Sequence, residues 1–210
     1  MKVIAINGSP NAGGNTYNSL KLVGDELQKE GIGFEIIHIG NKLIRGCLAC
    51  GSCSNTMNER CIIADEVNDV LQKLKEADGI LLGSPVHYAG VAGTMKSFLD
   101  RLFYVAGVNG NLFRHKVGAT VVAVRRSGGV STFDSLNHYI NYAEMIMPGS
   151  NYWNVAHGRA PGEMLQDEEG TQIMRVLGKN MAWLLKALAA GKEKVPAGPG
   201  EPKVFTNFIR

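Results

Sequence analysis

Short apolar runs alternate with helix-length amphipathic segments along most of the chain. Lys2–Ile6 is β-rich, and Thr16–Glu30 then sets Leu20, Val23 and Leu27 at helical spacing. Phe34–Ile39 reads as a second strand, and a cysteine-bearing segment interrupts before a helix near Asp65–Ala77. Gly79–Gly83 is the third strand, followed by a helix from about Gly93 to Tyr104. Val117–Val124 is the fourth strand and Thr132–Glu144 the next helix. Met145–Pro148 or Tyr152–Val155 supplies a fifth strand. Glu168–Ala190 is the last helix, with Trp183, Leu184, Leu185 and Leu188 read as its packing face. This alternation predicts an α/β chain with a doubly wound parallel sheet covered on both faces. Residues 1–190 read as one domain with an insertion at 46–62. The Gly/Pro-rich stretch 191–210, apolar at its tip, reads as an extended C-terminal arm.

Composition narrows the classes. The chain has 210 residues, 45% of them apolar and 20% charged, enough for a core. A net charge of +3 carried by scattered Lys and Arg is too small to argue for a nucleic-acid partner, and none is expected. No apolar run approaches the roughly 18 residues of a membrane span, and Met1 leads directly into VIAI, so the expectation is a cytoplasmic protein without a membrane partner. All four cysteines, Cys47, Cys50, Cys53 and Cys61, fall in one short segment. That clustering points to metal or redox chemistry rather than to a disulfide framework.

The turn GSPNAGGNT lies between the first strand and the first helix, where an anion meets backbone N–H groups and the positive end of a helix dipole. A nucleotide-hydrolysing P-loop would need Lys and Ser/Thr where Gly14 and Asn15 stand. The dinucleotide fingerprint fails because Pro10 takes the second glycine position. What remains is a donor-rich turn of Ser9, Asn11, Asn15 and Thr16, suited to a terminal phosphate monoester such as that of FMN. The alternative is a helix cap by Asn15–Thr16 with no ligand.

GSPVHYAGVAGTMKSFLDR follows the third strand, which neighbours the first in the order 2-1-3-4-5, at the crevice where ligands of such sheets bind. Together with GSPNAGGNT it resembles the NADPH-dependent FMN reductase and iron–sulfur flavoprotein families, from Met1 to about Leu188. The resemblance implies a five-stranded flavodoxin-like α/β/α fold and an FMN cofactor. It puts Pro85, Val86, His87 and Tyr88 along the flavin ring, with His87 where those families often carry Tyr or Phe. It also brings the loop VRRSGGVST to the pyrimidine edge through Arg126, Ser127, Gly128 and Gly129; strand alternation would turn only one of Arg125 and Arg126 to the site.

The cysteines read C-x2-C-x2-C-x7-C, and thiolates are the soft ligands that iron in a cluster prefers. The iron–sulfur flavoproteins carry such a compact motif after the second strand, which implies a [4Fe–4S] cluster on Cys47, Cys50, Cys53 and Cys61. Zinc, a Cys47–Cys50 dithiol and a merely structural segment stay open beside it. Tyr152, Trp153, His157 and Arg159 read as core aromatics plus a loop, with Trp153 or His157 as the alternative cover for the flavin of another subunit. Met145 and Met147 read as core, and His38 and His115 carry no role. Val204, Phe205, Phe208 and Ile209 read as a tip that packs on a neighbour in a homodimer or homotetramer, or as a frayed end.

The function expected is FMN-dependent oxidoreduction with no catalytic side chain. The electron donor would be NAD(P)H or a ferredoxin-type carrier, and the acceptor a small molecule. A non-catalytic flavodoxin-type carrier and a cysteine-based redox sensor are the alternatives.

Overall fold

The computed structural model describes residues 1–201, 203–206 and 208. Its sheet contains β1 (Lys2–Asn7), β2 (Gly33–His38), β3 (Gly79–His87), β4 (Gly90–Val91), β5 (Val117–Val124) and β6 (Val155–His157). The order is β2-β1-β3-β5-β6, parallel throughout, with β4 paired antiparallel to the end of β3. Leaving aside the two-residue β4, this is the order 2-1-3-4-5 expected from the sequence. The helices are α1 (Asn15–Lys29), α2 (Ser52–Thr56), α3 (Glu66–Glu76), α4 (Gly93–Val108), α5 (Gly129–Tyr142) and α6 (Glu168–Gly191). Among the described residues no helix is long and apolar enough to cross a membrane.

Strand alternation builds the layers. Val3 and Ala5 of β1, Leu81 of β3 and Val121 of β5 pack with α1 and α6 on one face. Ile4, Ile6, Ile80, Leu82 and Val122 pack with α3, α4 and α5 on the other. A strand buried on both faces reads as a continuous apolar run, which is why VIAI and VVAV stand out in the sequence.

The fifth parallel strand is broken, and both candidate segments reach the sheet. Ile146 makes a single parallel bridge to Val117, and the chain rejoins at Val155–His157. Between them the backbone lifts off the edge, held by Asn154, whose Nδ2 donates to Thr120 O at 3.0 Å. Tyr152 and Trp153 lie on this lifted segment, 57% and 47% exposed, so they are not core aromatics. Met147, on the same segment, is also exposed, whereas Met145 is buried. On α6 the packing face is Met181, Ala182 and Leu185; Trp183, two residues and about 200° on from Met181, points to solvent. Leu188 is likewise exposed. Beyond α6 the chain folds back so that Arg114 Nη1 donates to Gly198 O at 3.0 Å and Lys203 to the Tyr142 hydroxyl. Val204, Phe205 and Phe208 are exposed, and Ile209 lies outside the described residues.

Helix starts differ in one informative way. Asp65 caps α3 by accepting from Val67 N at 3.2 Å, and Asp167 caps α6 by accepting from Gly170 N at 2.9 Å. The helices that open at the carboxyl ends of the three central strands, α1, α4 and α5, have no side-chain cap.

Candidate functional site

The turn after β1 is organised from below by Asn7, which is fully buried. Its Oδ1 accepts from Ser9 N at 3.0 Å, and its Nδ2 donates to Ala12 O at 3.1 Å. Ser9 Oγ accepts from Asn11 N at 3.2 Å, and Gly8 N donates to Gly83 O of β3 at 2.8 Å. His38, at the end of β2, donates from Nε2 to Ser9 O at 2.7 Å. Gly40 then passes so close that a Cβ there would sit 2.0 Å from Ser9 O. These contacts lock a turn whose next element, α1, begins at Gly14 without a side-chain cap and so presents unpaired first-turn N–H groups. The sequence suggested Asn15–Thr16 as the cap; neither takes that part. Asn15 Oδ1 accepts from Met164 N at 3.3 Å, which ties the helix start to the segment after β6. Thr16 is buried and its hydroxyl has no partner. Asn11 is exposed on the rim.

The predicted ring-lining segment forms a hairpin. β3 and β4 pair Val86 with Val91 and His87 with Gly90, and Tyr88 turns the chain at φ 59°. Ser84 Oγ braces the hairpin by accepting from Ala92 N at 3.1 Å. Pro85 and Val86 are half-buried, while His87 and Tyr88 project into solvent. Across from them, Gly128 starts α5 at φ 87°, and a Cβ there would lie 3.1 Å from Val86 Cγ1. The two loops therefore meet at a position that only glycine fills without strain. Arg125 and Arg126 both lie beyond the end of β5 and are exposed, so alternation along the strand does not choose between them. Ser127 is exposed and Gly129 is buried at the helix start. Thr132, in the first turns of α5, is buried with an unpartnered hydroxyl.

Two clefts open beside this loop. One, of about 360 Å³, lies between residues 126–131 and Tyr152, Trp153 and His157. The other is an open groove of about 540 Å³ lined by Arg125, Arg126, Arg159, His157, Glu163 and Asp167. Its acids are engaged locally. Glu163 accepts from Arg159 N and Ala160 N at 2.5 and 2.7 Å, and these N–H groups hold its carboxyl below the usual range. Asp167 accepts from His157 N at 2.7 Å as well as capping α6. Among the described residues Arg125, Arg126 and Arg159 form no salt bridge, so the groove favours an anion.

The four cysteines are free and line one cavity, with Arg101 and Tyr104 of α4. The cavity is small, about 20 Å³, with Cys47 and Cys50 exposed at its rim and Cys53 buried. Burial pushes the Cys53 thiol up, and Cys61 and Cys47 add to the rise. The loop holds Ala49, Met57 and Glu59 at positive φ, three of the seven non-glycine residues found there among the described residues. Such backbone persists only where surrounding contacts impose it. Those contacts come from two helices. Asn68 of α3 brackets Cys61, accepting from its N–H at 2.7 Å and donating to its O at 3.0 Å. Gln72 Nε2 donates to Glu59 O at 3.2 Å, and Asn109 Oδ1 accepts from Glu59 N at 3.0 Å. Arg101 is fully buried beneath and forms a two-pronged pair with Asp65 at 2.5 and 2.8 Å. Burial opposes its charge, but Asp65 and Cys61 keep its pKa above the ordinary arginine value.

Among the described residues no three His, Cys, Asp or Glu side chains are set to hold a single metal ion. A four-iron cluster makes a different demand, one thiolate for each iron around a shared space, and a soft four-sulfur lining suits it. Asn7, His38, Gly40, Arg101 and Thr132 escape a reading of the sequence. Arg101 alone leaves a signal there, as a charge amid the apolar stripe Phe98, Leu102 and Val105 of one helix.

The family model described as NADPH-dependent FMN reductase matches residues 1–160. An iron–sulfur flavoprotein of Methanocaldococcus jannaschii is 35% identical over 195 residues, covering 90% of this chain and 99% of that one. Among solved structures, RosB with a bound 5′-phosphorylated flavin superposes with a TM-score of 0.71 at 16% identity, over 100% of this chain and 94% of that one. A flavodoxin from the domain Archaea gives 0.59 at 17% identity, over 89% and 99%. With its sheet order and its match over three quarters of its length, the chain belongs to the NADPH-dependent FMN reductase family of flavodoxin-like flavoprotein oxidoreductases.

Proposed function

We propose that this chain is an FMN-dependent oxidoreductase that passes electrons from a reduced donor to a small acceptor, with a [4Fe–4S] cluster on Cys47, Cys50, Cys53 and Cys61. One observation carries the reading. Among the described residues, three buried side-chain polar atoms lack a partner: Thr16 Oγ1, Thr132 Oγ1 and Arg101 Nε. Buried polar groups are nearly always satisfied, so each orphan implies a missing partner. Thr16 and Thr132 belong to α1 and α5, two of the three uncapped helices at the edge where flavin would lie. Arg101 lines the cysteine cavity.

In this reading the first-turn N–H groups of α1 and the Thr16 hydroxyl hold the FMN phosphate, with Ser9 and Asn11 shaping the turn. Asn15 positions the turn through Met164. Pro85, Val86, His87 and Tyr88 line one side of the ring, and Arg126, Ser127, Gly128 and Gly129 the other. Bound FMN supplies the one- and two-electron chemistry, and the four thiolates would hold a one-electron cluster beside it. The protein's own work is to bind, to orient and to leave one ring face open. The groove of Arg125, Arg126 and Arg159 complements the phosphates of NAD(P)H, which favours a nicotinamide donor over a role as a passive carrier. The exposed rim at Cys47 and Cys50 would let a ferredoxin-type protein approach the cluster that these residues would hold. The exposed apolar tip Val204–Phe205 suits packing against a second copy of the chain.

The test is an anaerobic preparation assayed for FMN, iron and acid-labile sulfide, followed by turnover with NADH and NADPH. Flavin bound near one per chain, about four irons per chain and nucleotide oxidation are expected. Colourless protein that does not quench added FMN fluorescence overturns the flavin reading, and iron-free protein overturns the cluster.

A further inference from the structure

We infer that Arg101 is the charge-compensating residue of the cysteine cavity, held by Asp65 so that its one free N–H serves the thiolates and raises the reduction potential of the cluster they carry. The inference rests on the cluster reading above. A guanidinium has five N–H donors. On Arg101, Nη1 donates to Asp65 Oδ2 at 2.5 Å and to Arg45 O at 3.3 Å. Nη2 donates to Asp65 Oδ1 at 2.8 Å and to Ile63 O at 3.2 Å. That accounts for four, and the fifth, on Nε, is buried without an acceptor in a side chain that lines the cavity with all four cysteines.

A structural ion pair alone does not explain this arrangement. Asp65 also caps α3, a task that Asn performs equally well without a buried cation. Burying a guanidinium under an apolar helix face is unfavourable unless its charge and every donor are met. Asp65 meets the charge only from one side, and its carboxylate is partly exposed. Four thiolates around a small cavity are the complementary partner. They repel one another, and an iron–sulfur centre bound through them is anionic and becomes more so on reduction. A fixed cation beneath it favours the reduced form, and hydrogen bonds to sulfur act in the same direction. Asp65, behind the guanidinium, opposes that effect.

The two charges therefore make predictions of opposite sign. Holoprotein is prepared anaerobically as wild type, Arg101→Met, Arg101→Lys and Asp65→Asn, and each is assayed for iron, sulfide and FMN. Potentiometric titration follows, with electron paramagnetic resonance of the reduced cluster as the readout. Arg101→Met should lower the reduced-to-oxidised ratio at least tenfold at a fixed potential, about 59 mV for a one-electron couple. Asp65→Asn keeps the cap and should move the ratio the other way. Arg101→Lys should recover part of the loss, and the FMN potentials should stay close to wild type. A merely structural role would change cluster content without opposite shifts in potential. Fully loaded variants with an unmoved cluster potential, or shifts of the same sign, overturn the inference and leave the cluster reading standing. Wild type without iron and sulfide overturns both. Should Arg101→Met fail to fold, the upward shift in Asp65→Asn decides the matter alone.

Discussion

Replacing Gly40 by Ala tests whether the turn after β1 is a shaped anion site. The added Cβ would lie 2.0 Å from Ser9 O, 2.2 Å from Ser9 C and 2.7 Å from Gly8 O, all backbone atoms. No rotamer change relieves such a clash, so the turn must retreat by about 1 Å or the chain after β2 must do so. Overpacking of this kind costs about 1–3 kcal/mol in stability. The effect on the ligand should be separate and at least as large. Hydrogen bonds to a charged group are worth roughly 1.5–3 kcal/mol each, so misaligning one or two first-turn donors weakens binding about 10- to 100-fold. The His38–Ser9 bond, which spans the same contact, should weaken with it. Titration of apoprotein into FMN, followed by fluorescence quenching, measures the affinity, and denaturant melts of apo and loaded protein measure the rest. A variant that folds with wild-type stability and binds FMN within threefold of wild type refutes both the packing argument and the placement of the phosphate.

Further outcomes follow from single contacts. Thr16→Val removes an unpartnered buried hydroxyl at nearly constant shape, so the apoprotein should melt unchanged or up to about 1 kcal/mol higher while FMN binds roughly tenfold more weakly. Equal affinity in the titration would count against Thr16 as a phosphate ligand. Hydrogen bonds from Lys2 and Lys73 hold the Glu35 carboxyl below its ordinary value, so its contribution is present above the unfolded value of about 4.3 and disappears as pH falls through the lower folded value. Because the pair is partly exposed, Glu35→Gln should lower stability by less than about 1 kcal/mol at pH 7, and the difference should close on acidification. Deleting the residues after Lys194 should lower the assembly mass in light scattering; an unchanged mass removes the arm from the interface.

Contiguous features were readable in the chain before folding. The apolar runs, the turn GSPNAGGNT and the cysteine spacing each lie within a few residues, so local rules reach them. What escaped depends on meetings between distant segments. Gly40 matters because the end of β2 passes the Ser9 backbone, and Asn7 looks like an ordinary strand end until its amide is seen inside the turn. The break in the last strand is invisible to periodicity because Ile146 and Val155 both carry strand-like neighbours while the chain between them leaves the sheet. Trp183 points to solvent because four large apolar residues in six positions overfill one helical face, and the Met181–Leu185 stripe takes the core.

Among the described residues, every hydrogen bond between 46–62 and the rest of the chain involves a side chain, chiefly Asn68, Gln72, Lys75 and Asn109. The loop shares no ladder with the sheet. Oxidation of the rim thiols Cys47 and Cys50 therefore breaks no strand ladder, whereas loss of Cys53 reaches the core that it shares with Ile4, Ile6 and Ile80. The cysteine loop hangs outside the frame of the sheet, which keeps its backbone hydrogen bonds whatever the rim thiols carry.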